Sequence, residues 1–228
     1  MRFMERRVAA VALLVGSAIA SQAQAQAGVQ FVGSTLGCFY TTGSCTPTVG
    51  ATLGGLTFTS QNFALQTDAS GFSAAGNPSN GFGLFALTSA PFTYTGNNFM
   101  LQVMFSPIGT TNSAGGPANA TTAATPTYTA TLLGSVVPGA ANNGVTIDFG
   151  GAQSRTFSFT STAPNALNGG TGVLRIFNKG VNEGDVAAAV AGDLQVTASS
   201  TVPEPSSVAL LASGLVGLVG TAFRRRRA

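Results

Sequence analysis

Two small groups of residues in this chain could perform chemistry, and the cysteines are the first. Cys38 and Cys45 are the only cysteines, and the 228 residues include no histidine. If the chain is exported, an even number of cysteines favours a disulfide. A metal or redox pair would need further ligands or a C-x-x-C spacing, and the sequence has neither. We therefore predict a structural Cys38–Cys45 disulfide.

The second group is the acidic turn Asn182-Glu183-Gly184-Asp185, which Asp193 follows shortly in the sequence. Oxygen ligands around a glycine could hold Ca²⁺, but this spacing does not match a calcium loop. An acidic turn of this kind is usually just solvated. We therefore expect no metal site and no cofactor.

The remaining residues argue against catalysis, which needs a nucleophile, a base or a metal. Without histidine, and with both cysteines paired, the Ser-His-Asp and Cys-His mechanisms are excluded. A pair of carboxylates could hydrolyse a glycoside, and the five acidic residues of the body leave this possible but give it no support. No glycine-rich phosphate loop precedes a helix. We predict that the protein is not an enzyme.

The cysteines and the acidic turn must be positioned by residues 28–201, here called the body. In the body apolar and polar residues alternate in short runs. A period of two with one polar face is typical of a half-buried strand. The runs are 99–105, 145–149, 157–159 and 194–198, with further ones at 56–58, 92–94 and 128–132. Two further runs, 82–87 and 173–177, are apolar on both faces and are expected to be central strands. Clusters of Gly, Asn, Pro and Ser predict turns at 76–81, 96–98, 138–144 and 165–172.

About ten short strands separated by turns indicate an all-β fold. We predict one domain over residues 28–201, an antiparallel β-sandwich with a jelly-roll-like arrangement. Residues 112–125 are rich in Ser, Ala, Gly and Thr and are predicted to be a flexible loop. No substantial helix is expected in this domain, and only residues 186–191 offer as much as a helical turn.

The first 27 residues have the order of a secretory signal peptide. Three arginines among the first seven residues precede an apolar run at 8–20, and Ala-x-Ala sites follow. A basic segment, a short apolar run and a small-residue site are the three parts of such a signal. We predict export by the Sec machinery and cleavage after Ala25 or Ala27, with Ala20 as an alternative.

Residues 202–228 have a different order, in which an uncharged apolar run precedes a cluster of arginines. As a helix the run from Val208 to Phe223 would span roughly 24 Å, against a hydrocarbon core of about 30 Å. We predict a transmembrane helix there, although its length is marginal for a permanent anchor. By the positive-inside rule the arginines stay cytoplasmic, so the body lies across the inner membrane. These membrane-orienting residues are Arg224, Arg225, Arg226 and Arg227.

A proline-rich motif, Val202-Pro203-Glu204-Pro205-Ser206, precedes the apolar run. Its two prolines keep the backbone extended, a shape that a protease can bind. With the apolar run and the arginines, in this order, the segment resembles the PEP-CTERM sorting signal of Gram-negative bacteria. The resemblance implies recognition by exosortase, a membrane cysteine protease, and delivery to the cell surface or the exopolysaccharide matrix. The alternative is a proline-containing linker before an ordinary membrane anchor.

The charges are concentrated in the two terminal segments. The whole chain has a net charge of +3, but its body has three cations against five carboxylates. No basic patch remains in the body, so a nucleic acid is not expected as a partner. The body cations are Arg155, Arg175 and Lys179, and its carboxylates are Asp68, Asp148, Glu183, Asp185 and Asp193.

We therefore expect an exported, exosortase-sorted protein of the cell surface or extracellular matrix, with a structural or adhesive role. Before processing, its C-terminal helix would hold it in the membrane. The alternative is a carbohydrate-binding module for exopolysaccharide, by analogy with other β-sandwiches. Sugar-binding surfaces favour exposed aromatic residues, and the chain has no Trp and three Tyr. Of Tyr40, Tyr94 and Tyr128, two alternate into the apolar face.

Overall fold

The structure is a computed structural model that describes residues 28–68, 70–106, 118–141, 143–162 and 167–200. These residues form fourteen strands and no helix. The strands are β1 (Val29–Tyr40), β2 (Gly50–Leu53), β3 (Leu56–Thr59), β4 (Asn62–Gln66), β5 (Phe72–Ala75), β6 (Leu84–Leu87), β7 (Phe92–Thr93), β8 (Asn98–Ser106), β9 (Ala118–Thr121), β10 (Thr127–Val136), β11 (Gly144–Thr162), β12 (Leu167–Asn182), β13 (Ala188–Ala189) and β14 (Gly192–Ser200). None of the described residues belongs to a helix long and apolar enough to cross a membrane. The predicted signal peptide and transmembrane helix lie outside the described residues.

The strands form two sheets, so the prediction of an all-β fold is confirmed. The large sheet has ten strands in the order β5-β14-β12-β11-β9-β1-β8-β10-β7, with β4 paired to β1. The small sheet has four strands in the order β13-β6-β3-β2. Among the described strands every pairing is antiparallel except the short one between β1 and β9.

Part of the large sheet closes on itself. The first residues of β11 pair with β10 and its last residues pair with β9, while β9 and β8 both pair with β1. Because β8 also pairs with β10, these five strands form a closed ring, which makes this region barrel-like. The register between β11 and β12 shifts between Ile147 and Ala152, and a bulge of this kind bends a strand. In β11 the bend lies between the residues that pair with β10 and those that pair with β9. The jelly-roll-like sandwich stays a prediction.

Phenylalanine side chains join the two sheets in one core. Phe58 of β3, Phe85 of β6 and Phe99 of β8 are fully buried, and their ring centroids lie 5.0 to 5.4 Å apart. Offset or edge-on aromatic pairs at this separation add to the free energy gained from burial. Gly37 of β1 lies against this cluster, and a Cβ there would come within 2.6 to 2.7 Å of the Phe99 and Phe58 rings. Only glycine therefore fits at that point of β1.

Several elements differ from the sequence-based expectation. The runs 145–149 and 157–159, expected as two strands, belong to the single bulged strand β11. The expected turn at 165–172 contributes its residues 167–172 to β12, where a Cβ on Gly172 would clash with the ring of Phe157. Glycine there permits close packing and does not mark a turn. The expected loop at 112–125 contains strand β9, and the segment 186–191 contains strand β13 in place of a helical turn.

Candidate functional site

The two cysteines lie at the end of β1. Cys38 and Cys45 form a disulfide with their Cα atoms 6.2 Å apart, as the sequence predicted. Thr48 runs back beside β1, because its N–H donates to the Gly37 carbonyl (3.0 Å) and its carbonyl accepts from the Gly37 N–H (2.9 Å). The disulfide and this bridge hold the loop that directly follows Tyr40, the last residue of the strand.

A row of polar residues crosses the large sheet next to this loop. Tyr40 of β1 is opposite Asn98 of β8, which is opposite Thr131 of β10. Thr131 is in turn opposite Asp148 of β11. The residues beside them in the strands, such as Phe99, Leu132 and Ile147, are buried, so the row lies on the outer face. With Thr129 and Gln153 the four residues line a recess of about 300 Å³, here named the Tyr40 recess.

Asp148 is the charged residue of the Tyr40 recess. Its Oδ1 accepts hydrogen bonds from the Gly150 N–H (2.8 Å) and from Nδ2 of Asn178 (2.6 Å). The Gly150 N–H and, after it, the Asn178 amide hold the pKa of Asp148 below its usual range, so the carboxylate is ionised at neutral pH. The Gly151 N–H also helps to lower this pKa, but within the described ranges the two direct hydrogen bonds both go to Oδ1, so Oδ2 can accept one from a ligand.

The neutral side chains of the Tyr40 recess also have unused hydrogen-bonding capacity. Gln153 is oriented by its Oε1, which accepts from the Thr129 N–H (2.9 Å), while its Nε2 has no partner among the described residues. The hydroxyl groups of Tyr40, Thr129 and Thr131 likewise have no partner there, and each can both donate and accept. The recess therefore presents donors and acceptors beside the partly exposed ring of Tyr40, while the second aromatic residue of its lining, Phe149, is 3% exposed.

The acidic turn lies elsewhere, in a recess of about 760 Å³. Glu183 accepts a hydrogen bond from Asn143 (2.6 Å), and Asp185 accepts one from the N–H of Asn182 (2.8 Å). Asp193 does not line this recess; it is 5% exposed and accepts two hydrogen bonds from Arg175, at 2.7 and 2.6 Å. No group of three or more potential metal-ligating acids, cysteines or histidines occurs among the residues that the structure describes.

The other two tyrosines are internal, as the alternation predicted. Tyr94 and Tyr128 are both 0% exposed. The Tyr94 hydroxyl accepts from the Gly55 N–H, and the Tyr128 hydroxyl donates to the Leu174 carbonyl, each at 3.0 Å. Burial raises the pKa of both phenols. Tyr40 is thus the tyrosine that remains available to a ligand.

The Tyr40 recess could not be predicted from the sequence, because its residues are far apart along the chain. Thr129, Thr131 and Asp148 occupy the polar positions of alternating runs, which marks them as outward-facing. This alternation predicts which side chains face outward, but it does not predict which strands are neighbours. The register between β1, β8, β10 and β11 brings the residues together.

The predicted sorting residues, Val202 to Ser206 and Arg224 to Arg227, lie outside the described residues. A family model described as the PEP-CTERM protein-sorting motif matches residues 201–227. No curated protein and no solved structure matches the chain. The chain therefore carries a PEP-CTERM protein-sorting motif, which implies export and exosortase-dependent sorting.

Proposed function

We propose that this protein is an exported component of the cell surface or extracellular matrix, with a structural or adhesive role and no catalytic activity. The observation that carries the proposal is the PEP-CTERM motif at residues 201–227. A sorting motif defines a destination, so the role of the body must be one that is useful at the surface.

The route has three steps. The signal within residues 1–27 directs the chain to the Sec machinery and is removed by cleavage after Ala25 or Ala27, with Ala20 as an alternative. The apolar run 208–223 then holds an intermediate in the inner membrane, with Arg224 to Arg227 on the cytoplasmic side. Exosortase cleaves near the Pro203-Glu204-Pro205 motif and releases the body from the apolar run.

The composition and contacts of the body support a role without catalysis. The whole sequence lacks histidine, and both cysteines are consumed by the disulfide. Asp193 is buried against Arg175, and Glu183 is bound by the Asn143 amide. We propose that the described strands form a sandwich-like domain whose outward positions are mainly Thr, Ser and Asn, which suits close packing in a hydrated matrix.

The sorting step is tested by replacing Pro203, Glu204 and Pro205 with alanine in the full-length protein. The variant should remain longer and membrane-bound, and deletion of the host exosortase should have the same effect on the wild type. Replacing Ser199 and Ser200 with alanine, just before the motif, is the matched control and should leave processing unchanged. If the triple variant is released at its normal length, the sorting proposal is wrong and an ordinary membrane anchor replaces it.

The second candidate function is carbohydrate binding, with an exopolysaccharide of the matrix as the ligand. The observation that favours it is the Tyr40 recess, where an accessible tyrosine lies among side chains with unused hydrogen-bonding groups. The large recess at the acidic turn has no aromatic residue among those that line it.

A further inference from the structure

We propose that the Tyr40 recess binds a neutral hexose unit of a polysaccharide. The inference rests on the adhesive role proposed above, but it does not depend on the sorting step.

The shape of the site follows from the strand register. Tyr40, Asn98, Thr131 and Asp148 stand on four adjacent strands, in one row across the outer face. Adjacent strands lie about 4.8 Å apart, so the row from β1 to β11 is roughly 14 Å long. This is longer than a single sugar ring, and a polysaccharide running across the strands would follow the row.

Contacts at both ends of the row hold the site in place. The Cys38–Cys45 disulfide closes the loop after Tyr40. Thr41 in that loop donates a hydrogen bond from Oγ1 to Asn97 Oδ1 (3.0 Å), which ties the loop to the start of β8. At the other end, Asn178 and the Gly150 N–H fix the Asp148 carboxylate through its Oδ1. Little ordering is therefore required when a ligand binds, which favours affinity.

The chemistry of the lining matches a sugar. Pyranose rings have an apolar C–H face that packs on an aromatic ring, and Tyr40 supplies the one aromatic ring in the row. Sugar hydroxyls both donate and accept, so they need partners of both kinds. Asp148 Oδ2 offers an acceptor, Gln153 Nε2 offers donors, and the hydroxyl of Thr131 offers either. A few placed polar groups of this kind fix the orientation of a ligand.

The charge of the recess selects a neutral ligand. Asp148 is the charged residue among those that line it, and no cation lies beside it there. An ionised carboxylate repels a uronate or a sulfate ester, because like charges at short range are unfavourable. The recess should therefore take neutral hexoses and reject an acidic polysaccharide.

The test uses the full-length protein in mild detergent and affinity electrophoresis in gels containing dextran, yeast mannan or galactomannan, with alginate as the acidic polymer. We expect retention by at least one neutral polymer and none by alginate. Tyr40→Ala should weaken the retention by about tenfold or more, the change that corresponds to roughly 1.4 kcal/mol of binding free energy. Thr131→Val and Asp148→Ala should weaken it in the same direction, whereas Tyr40→Phe keeps the ring and most of the binding.

The matched control is Glu183→Ala, which removes a carboxylate from the other recess and should leave retention unchanged. Far-UV circular dichroism verifies that each variant is folded, and Thr131→Val serves if Tyr40→Ala does not fold. The proposal is overturned if none of the three neutral polymers retains the protein, if alginate is preferred, or if Tyr40→Ala and Thr131→Val bind normally. The triple variant at Pro203 to Pro205 should bind like the wild type, so a failure of sorting and a failure of binding are distinguishable.

Discussion

The last 28 residues and the body hold different kinds of information. The tail has a motif that a family model matches at residues 201–227, read from a proline-flanked glutamate, an apolar run and an arginine cluster in order. The body matches no curated protein or solved structure, yet its described residues form two sheets around one core. Sorting information is thus linear and local, whereas the information for the fold is distributed over contacts between distant residues. Changes in the tail should alter location, and changes in the body should alter stability.

The largest expected effect is a complete change of location when the tail is moved. Fusing residues 202–228 to an unrelated exported protein should send that protein through the same cleavage and release, because the signal is linear. Immunoblots of the membrane and extracellular fractions measure the outcome. The same fusion with alanine at Pro203, Glu204 and Pro205 is the control and should stay in the membrane. A reporter that remains full-length with the intact tail would show that residues 202–228 are not sufficient for sorting.

The largest expected effect on stability comes from Phe99→Ala. Phe99 is 0% exposed and its ring lies 5.0 to 5.1 Å from those of Phe39, Phe58 and Phe85. Removing it leaves a cavity where the sheets meet and should lower the free energy of unfolding by about 3–5 kcal/mol. Urea denaturation of the purified protein measures this. Gln102→Ala, on the opposite face of β8, is the control and should cost less than about 1 kcal/mol. Equal losses in the two variants would contradict the assigned core.

Removing the disulfide should have a smaller effect. Cys38→Ser with Cys45→Ser removes a short covalent loop and should lower the free energy of unfolding by about 2–3 kcal/mol in the chain-entropy model. Urea denaturation of oxidised and reduced wild type gives an independent measurement of the same difference. Protein that takes up two alkylating groups before any reduction would show that the cysteines are free, against the structure.

A still smaller effect is expected from Tyr128→Phe, which removes the hydroxyl that donates to the Leu174 carbonyl. Losing this buried hydrogen bond should cost about 0.5–1.5 kcal/mol of unfolding free energy. Tyr40→Phe, on the outer face, is the control and should change it little. If the two substitutions are equally mild, the buried hydrogen bond contributes nothing measurable.

The buried phenol of Tyr128 should also make the stability of the protein depend on pH in the alkaline range. Burial raises the pKa of Tyr128 in the folded state, while an unfolded tyrosine titrates at about 10. The unfolded state then binds fewer protons, so wild-type stability is fully present below pH 10 and falls as the pH rises beyond it. In the Tyr128→Phe variant part of this pH dependence should disappear. The rest should remain, because burial raises the pKa of Tyr94 as well. Unfolding midpoints across that pH range test the prediction.

The fold was predictable where alternation is local. The runs 99–105, 128–132 and 194–198 are strands, and 173–177 is central, between β11 and β14. The closed ring was not predictable, because it depends on which strands pair. The glycines of β12 were misleading, since in sequence a glycine that permits close packing resembles one that permits a turn.

The candidate site was predictable only in part. The disulfide followed from two lone cysteines and an expected export signal, and the structure confirms it. The link between Asp193 and the acidic turn rested on proximity in sequence, whereas pairing between β12 and β14 places Asp193 opposite Arg175. The Tyr40 recess depends on register across four strands, which no single run of residues encodes.

Exosortase-dependent sorting is tested most directly by intact-mass measurement and terminal sequencing of the protein recovered outside the cell. Export and sorting predict an N-terminus that follows Ala25 or Ala27, with Ala20 as an alternative, a C-terminus that precedes Arg224 to Arg227, and a mass consistent with one disulfide. Extracellular protein that still ends in the four arginines would contradict exosortase-dependent sorting and leave an ordinary membrane anchor as the explanation of the tail.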